Sequence, residues 1–181
     1  FIDDPTRIFR AIRYESRYGF RMDDHTQRLA RGTIEMGLVG DLSSARLRDE
    51  LVALLEEGDA GASILRLAEL GAGAAIHPHL AADDEAVELL GRMRALNEHY
   101  GTAIPAWRLA FAALARRMPP DEVYAWLRRL KVQRRDLERV AAAVTVGPRI
   151  LERLRGGSAE PADVVAAADP YAPDAPLFAM A

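Results

Sequence analysis

Phe1-Ile-Asp-Asp-Pro-Thr-Arg-Ile-Phe-Arg-Ala-Ile-Arg-Tyr-Glu-Ser-Arg-Tyr-Gly-Phe20 opens the chain and decides how the rest is read. Asp4 before Pro5 marks a helix start, an N-cap carboxylate followed by proline at the first helical position. At about 100° per residue, Ile8, Phe9 and Ile12 fall on one side of that helix. Asp3, Arg7, Arg10, Arg13 and Arg17 fall on the other, with Asp4 beside Arg7 on the near flank. One face belongs to a core; the opposite face sets two carboxylates above a stripe of arginines. Gly19-Phe20 predicts the turn that ends it.

The helical spacing continues nearly throughout, and no segment alternates with period two. Asp24 is the expected cap of a second helix over residues 25–36, with Leu29, Ala30 and Ile34 inward. Ser43 or Ser44 caps a third, through residue 57, that buries Leu47, Leu51, Leu54 and Leu55. Further helices are expected over 63–70, 84–99, 105–117, 121–130 and 134–155, with Gly147-Pro148 breaking or kinking the last. Gly156-Gly157 reads as a hinge, Ser158 as the cap of a short helix and residues 169–174 as a loop. The predicted fold is therefore all-α, an array of eight to ten helices. Small residues and Pro78 interrupt the pattern over 71–82, which divides the chain into regions 1–80 and 81–181.

Half of the 181 residues are hydrophobic, enough for a substantial core, yet no apolar run approaches the ~20 residues of a membrane span. The absence of cysteine excludes disulfides and thiolate metal sites and suits a cytoplasmic protein. The chain starts at Phe1 rather than Met and closes on what reads as an interrupted helix, so it is expected to be a piece of a longer protein. The net charge of −3 is unevenly spread: +2 over 1–32, −7 over 33–115, +6 over 116–155 and −4 over 156–181. A basic block inside an acidic chain is a candidate phosphate-binding surface.

Asp3-Asp4-Pro5-Thr6-Arg7-Ile8-Phe9-Arg10-Ala11-Ile12-Arg13-Tyr14, followed by Gly19-Phe20, resembles the neck helix of class II tRNA nucleotidyltransferases (CCA- and A-adding enzymes) and bacterial poly(A) polymerases. The family pattern is acidic-Asp-x-x-Arg-x-x-Arg, then Ala-hydrophobic-Arg-aromatic, then Gly-Phe; its first acid is often Glu, where this chain has Asp3. Downstream, Thr26 in Asp24-His-Thr fits the phrase after Gly-Phe. Ser43-Ser-Ala-Arg-Leu-Arg-Asp-Glu50 is similar to the family's Ser-x-Glu-Arg-Ile-x-x-Glu, with Ala45 for the first Glu. Gly71 through Pro78-His-Leu80 is similar to its Gly…Pro-Glu-Leu turn, with His79 for Glu.

The resemblance implies a neck that reads the nucleotide base and binds RNA over 1–80, and a body and tail over 81–181 carrying the basic segment 116–155. It implies that CTP and ATP are read by Asp4 and Arg7, and that the partner is the 3′ end of tRNA or another RNA. It also implies an N-terminal catalytic head, holding Mg2+, that would lie before Phe1; the fragment alone is expected to be inactive.

The base-reading chemistry follows from donors and acceptors. An ionised Asp only accepts hydrogen bonds and an Arg only donates them. Cytosine sets its N4 amino group beside N3, and adenine its N6 amino group beside N1, so either satisfies an Asp/Arg pair. Guanine and uracil reverse that order and leave mismatched polar groups. Asp3 stands at i,i+4 to Arg7 and is expected to hold that guanidinium. Arg10 is a candidate for the triphosphate or the RNA end, and Arg13 and Arg17 for RNA or interdomain carboxylates. Arg46 and Glu50 are read as a supporting i,i+4 pair.

In the basic segment, Arg128, Arg129, Lys131, Arg134 and Arg135 cluster at a helix junction and are candidate RNA phosphate contacts. Trp107 and Trp126 read as core anchors. His77-Pro-His79 reads as a loop rather than a metal site, and Asp83-Asp84-Glu85 as acids favoured at a helix N-terminus. A rival reading needs no nucleotide site: an all-helical module that binds protein or nucleic acid through its basic half.

Overall fold

The computed structural model describes residues 1–155, 166 and 169–181. Among them are ten α-helices, one 3-10 turn and no strand, as the unbroken helical spacing predicts. The helices are α1 (Thr6–Tyr18), α2 (Asp24–Glu35), α3 (Ser44–Leu55), α4 (Ala60–Leu70), α5 (Ala72–Ile76) and α6 (Asp84–His99). Then come α7 (Ala106–Ala115), α8 (Pro120–Arg129), α9 (Arg134–Arg155), the 3-10 turn Asp169–Tyr171 and α10 (Asp174–Met180). The hinge read at Gly156-Gly157 and the cap read at Ser158 lie outside the described residues.

Side-chain caps explain where several helices begin. Asp23, Ser43, Asp59 and Asp83 accept the backbone N–H groups of Thr26, Arg46, Ala62 and Ala86, each satisfying a donor that the first turn leaves free. The cap of α2 is thus Asp23, one residue before the carboxylate chosen from sequence. Proline stands at the starts of α7 and α8, where its missing N–H costs nothing. Gly19 ends α1 in the left-handed conformation, at φ 72°, that a side chain would resist.

The core is one apolar cluster reaching from Ile8 to Leu177, on both sides of residue 80. Ile8, Phe9 and Ile12 are wholly buried, each contributing roughly 1.5–3 kcal/mol. Leu47, Leu51, Leu54 and Leu55 of α3 are buried as predicted, and α1 packs against α3 and α4. In α2 the inner face is Ala30, Thr33 and Ile34, whereas Leu29 is 50% exposed. Thr33 is tolerated inside because its hydroxyl donates to the Leu29 carbonyl at 2.9 Å. The interrupted stretch 71–82 contributes α5, whose Ala72, Gly73 and Ile76 are buried.

Of the break or kink read at Gly147-Pro148, the break does not occur, since α9 runs through both residues without ending. Residues Ala142, Ile150, Ala175 and Ala179 form a small second cluster where α10 lies on α9. Arg108 of α7 pins this end of the molecule. It donates to both carboxylate oxygens of buried Asp174, at 3.0 and 2.8 Å, and to Asp136 at 3.1 Å. Burial pushes the Asp174 carboxyl above the usual carboxylate range, with Arg108 opposing it.

Candidate nucleotide and nucleic-acid interface

Helix α1 presents its buried stripe to α3 and α4 and leaves Asp3, Arg7, Arg10 and Arg17 exposed. Asp4 sits at its start, partly covered, and one carboxylate oxygen does most of its bonding. Oδ1 accepts the Thr6 N–H at 3.2 Å, the Thr6 hydroxyl at 2.6 Å and the Arg46 guanidinium at 2.9 Å. The Thr6 hydroxyl bond, first, and Arg46 hold the carboxyl below its ordinary range, so Asp4 is ionised at neutral pH. Oδ2 has no hydrogen-bond partner among the described residues.

No ion pair joins Arg7 to Asp3 or Asp4 among the described residues. Helical backbone begins at Thr6, so Asp3 lies before the first turn and the i,i+4 register assumed for it does not apply. Arg46 reaches across from α3 to Asp4, rather than to Glu50 on its own helix, because α3 packs against α1. The result is a fixed, ionised acceptor with one oxygen unpartnered, three positions before an exposed guanidinium that forms no ion pair among the described residues.

Lower on α1, Arg17 makes a two-pronged bond to Glu57, at 2.6 and 3.2 Å. Arg13 is half-buried, with its guanidinium 5.7 Å from the Tyr14 ring centroid. The neighbouring Tyr14 hydroxyl, and more weakly Glu50, raise the Arg10 guanidinium above its ordinary value. Below them, buried Arg66 of α4 grips Glu15 at 2.8 and 3.0 Å, and Glu15 also accepts the Met22 N–H at 2.6 Å. That pair lines a cleft of about 460 Å3 between α1 and α4, to which Phe20, Arg21 and Glu69 also belong.

Sequence reading passed over three aromatic rings here. Tyr18 stacks on Phe20, with centroids 5.5 Å apart and planes within 14°, and Tyr14 lies 6.0 Å from Tyr18. All three rings are exposed. The i,i+4 spacing of Tyr14 and Tyr18, with Phe20 just past the helix, was the signal available.

The second expected surface is at the α8–α9 junction. Arg128, Arg129, Lys131, Arg134 and Arg135 are all exposed, and the one ion pair formed by them among the described residues is Arg134–Glu138 at 2.8 Å. Lys131 turns the chain with φ 53°, its carbonyl held by Arg48 of α3 at 2.8 Å. Trp126 behind it is buried and Trp107 packs edge-on to Phe111, as core anchors should. Arg116 and Arg117, by contrast, are spent on Asp83 and Glu85. The acidic cluster at the start of α6 therefore caps the helix and also ties it to α7.

His77 and His79 do have a third group nearby, supplied by α8. Glu122 Oε2 lies 2.5 Å from His79 Nδ1 and 3.7 Å from His77 Nε2. His77 Nδ1 accepts the His79 N–H at 3.2 Å, which leaves Nε2 to carry the proton of the neutral ring and no lone pair there for an ion. Two imidazoles and one carboxylate also suit Mg2+ poorly, since that ion takes oxygen ligands.

The family described as "Probable RNA and SrmB- binding site of polymerase A" matches residues 19–84. The A-adding tRNA nucleotidyltransferase of Geobacter sulfurreducens is 31% identical over 169 residues, 91% of this chain and 19% of that protein. The multifunctional CCA protein of Neisseria gonorrhoeae is 39% identical over 72 residues, 40% of this chain and 18% of that one. The chain is similar to A-adding and CCA-adding tRNA nucleotidyltransferases and spans about a fifth of the length of these relatives. Its fold is that of solved CCA-adding enzymes. One in complex with CTP superposes with TM-score 0.80 at 23% identity, covering 99% of this chain and 44% of that one. The Thermotoga maritima enzyme with tRNA gives 0.71 at 23% identity, covering 98% and 47%.

Proposed function

We propose that this chain is the C-terminal, non-catalytic part of a template-independent RNA nucleotidyltransferase that adds CMP or AMP to tRNA or other RNA 3′ ends. Residues 1–80 act as the neck and residues 81–181 as the body and tail. The single observation that carries the reading is the pair of open groups on α1: the free Oδ2 of an ionised Asp4 and the unpaired, exposed Arg7 fork. A carboxylate accepts from the amino group of cytosine or adenine while the guanidinium donates to the adjacent ring nitrogen. Arg46 and Thr6 occupy Oδ1 and leave the other oxygen without a partner among the described residues. Asp3 and Arg10 flank this edge, and Arg10 is the natural contact for the triphosphate.

The relatives that the chain resembles include CCA-adding enzymes solved with CTP, ATP and tRNA, which supports the same ligands here. Mg2+ would supply the phosphoryl-transfer chemistry from an N-terminal catalytic head. No step of that chemistry falls to the residues described here, and the compartment is the cytoplasm.

RNA is bound by Arg128, Arg129, Lys131, Arg134 and Arg135, with Arg13 and Arg17 as neck contacts. Lysine and arginine contacts to phosphate release counterions, so binding weakens with salt by about 0.7–0.9 log units per log unit for each contact. In the full-length protein, replacing Arg128, Arg129, Arg134 and Arg135 by Ala weakens tRNA binding and flattens that slope by roughly three units. Filter binding across a salt series measures both. An unchanged affinity and slope would contradict the RNA face and leave the basic block a solvated surface only.

A further inference from the structure

The α1 face that carries the arginines also carries three exposed rings. Tyr14 is 37%, Tyr18 58% and Phe20 61% exposed, an unusual outlay of apolar surface on so short a stretch. They form a ladder: Tyr14 tilted against Tyr18 at 6.0 Å, and Tyr18 parallel to Phe20 at 5.5 Å. None of the three enters the core, which α1 fills with Ile8, Phe9 and Ile12 from its other side.

We propose that the Tyr14–Tyr18–Phe20 ladder is a stacking platform for an unpaired nucleobase of the RNA strand. This deepens the RNA-binding reading above and rests on it.

Charge complementarity selects this occupant over an apolar protein segment. The ladder is bordered by Arg10 and Arg13, and the Arg13 guanidinium lies 5.7 Å from the Tyr14 centroid. Arg7 and Arg10 make no ion pair among the described residues. Three carboxylates on the surrounding elements are already engaged, Glu57 by Arg17, Glu69 by Arg21 and Arg66, and Glu15 by buried Arg66, while Glu50 near Arg10 forms no ion pair among the described residues. The charged groups that act directly on Tyr14 are Arg10 and Arg13, both cationic. An unpaired nucleotide brings a flat π face for the rings and a phosphate for the guanidinium groups. An apolar helix or loop brings only the first and leaves the arginines desolvated without a partner. Stacking of this kind is tolerant of base identity, since every base has a π face. The ladder thus does a different job from Asp4 and Arg7: it grips a strand, while they select a base.

The test uses the full-length protein and two RNAs, a stem-loop ending in a short unpaired 3′ tail and the same stem-loop with a blunt end. Affinity is read by fluorescence anisotropy at fixed salt for the unaltered protein, for Tyr18→Leu/Phe20→Leu, and for Tyr18→Phe/Phe20→Tyr. The leucine pair keeps apolar volume and loses the π faces; the second pair keeps them. The expected result is about tenfold weaker binding of the tailed RNA by the leucine variant. The blunt RNA is bound as before, the aromatic swap changes neither, and the salt slope is retained. Equal effects on the two RNAs, or no effect on the tailed one, would overturn the platform while leaving the basic face intact. Protection of Tyr14 and Tyr18 from tetranitromethane nitration in the RNA-free protein would also overturn it, because it would mean that a protein surface covers the ladder. Failure of the unaltered protein to bind either RNA would overturn both this and the RNA reading beneath it.

Discussion

Asp4 has two oxygens with different employment. Oδ1 is bonded three times, and Oδ2 has no hydrogen-bond partner among the described residues. The sequence made the type and neighbourhood of these residues legible because a helix start is a local event. It did not make Arg46 legible as the residue that fixes Asp4, since the two stand 42 positions apart and meet only when α3 packs on α1. The same holds for Glu15 and Arg66, separated by 51 positions and each over 90% buried at the side chain. Burial works against the Arg66 charge, and the bonds to Glu15 and Glu69 outweigh it, keeping the guanidinium protonated above its ordinary value. Removing one partner strands the other, so Glu15→Ala should cost about 3–5 kcal/mol in urea denaturation. Glu15→Leu combined with Arg66→Met should recover most of that loss. A cost for Glu15→Ala no larger than that of an exposed surface change would show that water relieves the pair.

At the scale of the helix, periodicity and caps located most elements to within a few residues. The misreadings have local causes. Asp23 and Asp24 are chemically equivalent as caps, and only backbone geometry at Asp23 aims its carboxylate at the Thr26 N–H. Leu29 is left out because the contact of α2 with α4 and α5 is narrow enough to be filled by Ala30, Thr33 and Ile34. Gly147 was read as a breaker, but it serves as a gap. A Cβ there would stand 2.8 Å from the Phe178 ring and 3.4 Å from the Ala175 carbonyl oxygen of α10. Gly91 in α6 is exposed and has nothing within 4 Å of such a Cβ. Two chemically identical substitutions should therefore differ in sign. Gly91→Ala should raise stability by about 0.4–1 kcal/mol through helix propensity and a less free unfolded chain. Gly147→Ala should lower it by about 1–3 kcal/mol through overpacking against α10. Thermal unfolding of both variants checks this, and a stabilised Gly147→Ala would mean that α10 does not rest on α9 as described.

Across the whole molecule, the charge pattern of the sequence turns into two separate surfaces. The +6 of segment 116–155 is not all available, because Arg116 and Arg117 are neutralised by acids at the start of α6. What remains exposed is the ridge from Arg128 to Arg135 around the left-handed turn at Lys131, with Arg149, Arg153 and Arg155 further along α9. The apolar cluster that connects this ridge to α1 is continuous, so the Asp4–Arg7 end of α1 and the ridge are mounted on one packed body. Linear sequence predicts how much charge a segment has, but its neutralisation depends on which helices meet. The most direct test of the account is nucleotide selection by the full-length enzyme. Incorporation from CTP, ATP, GTP and UTP is compared for the unaltered protein, Asp4→Ala and Arg7→Ala. The account predicts that either substitution erodes the preference for CTP and ATP over GTP and UTP by at least tenfold, or abolishes incorporation with metal binding retained. Selectivity unchanged in both variants would contradict it.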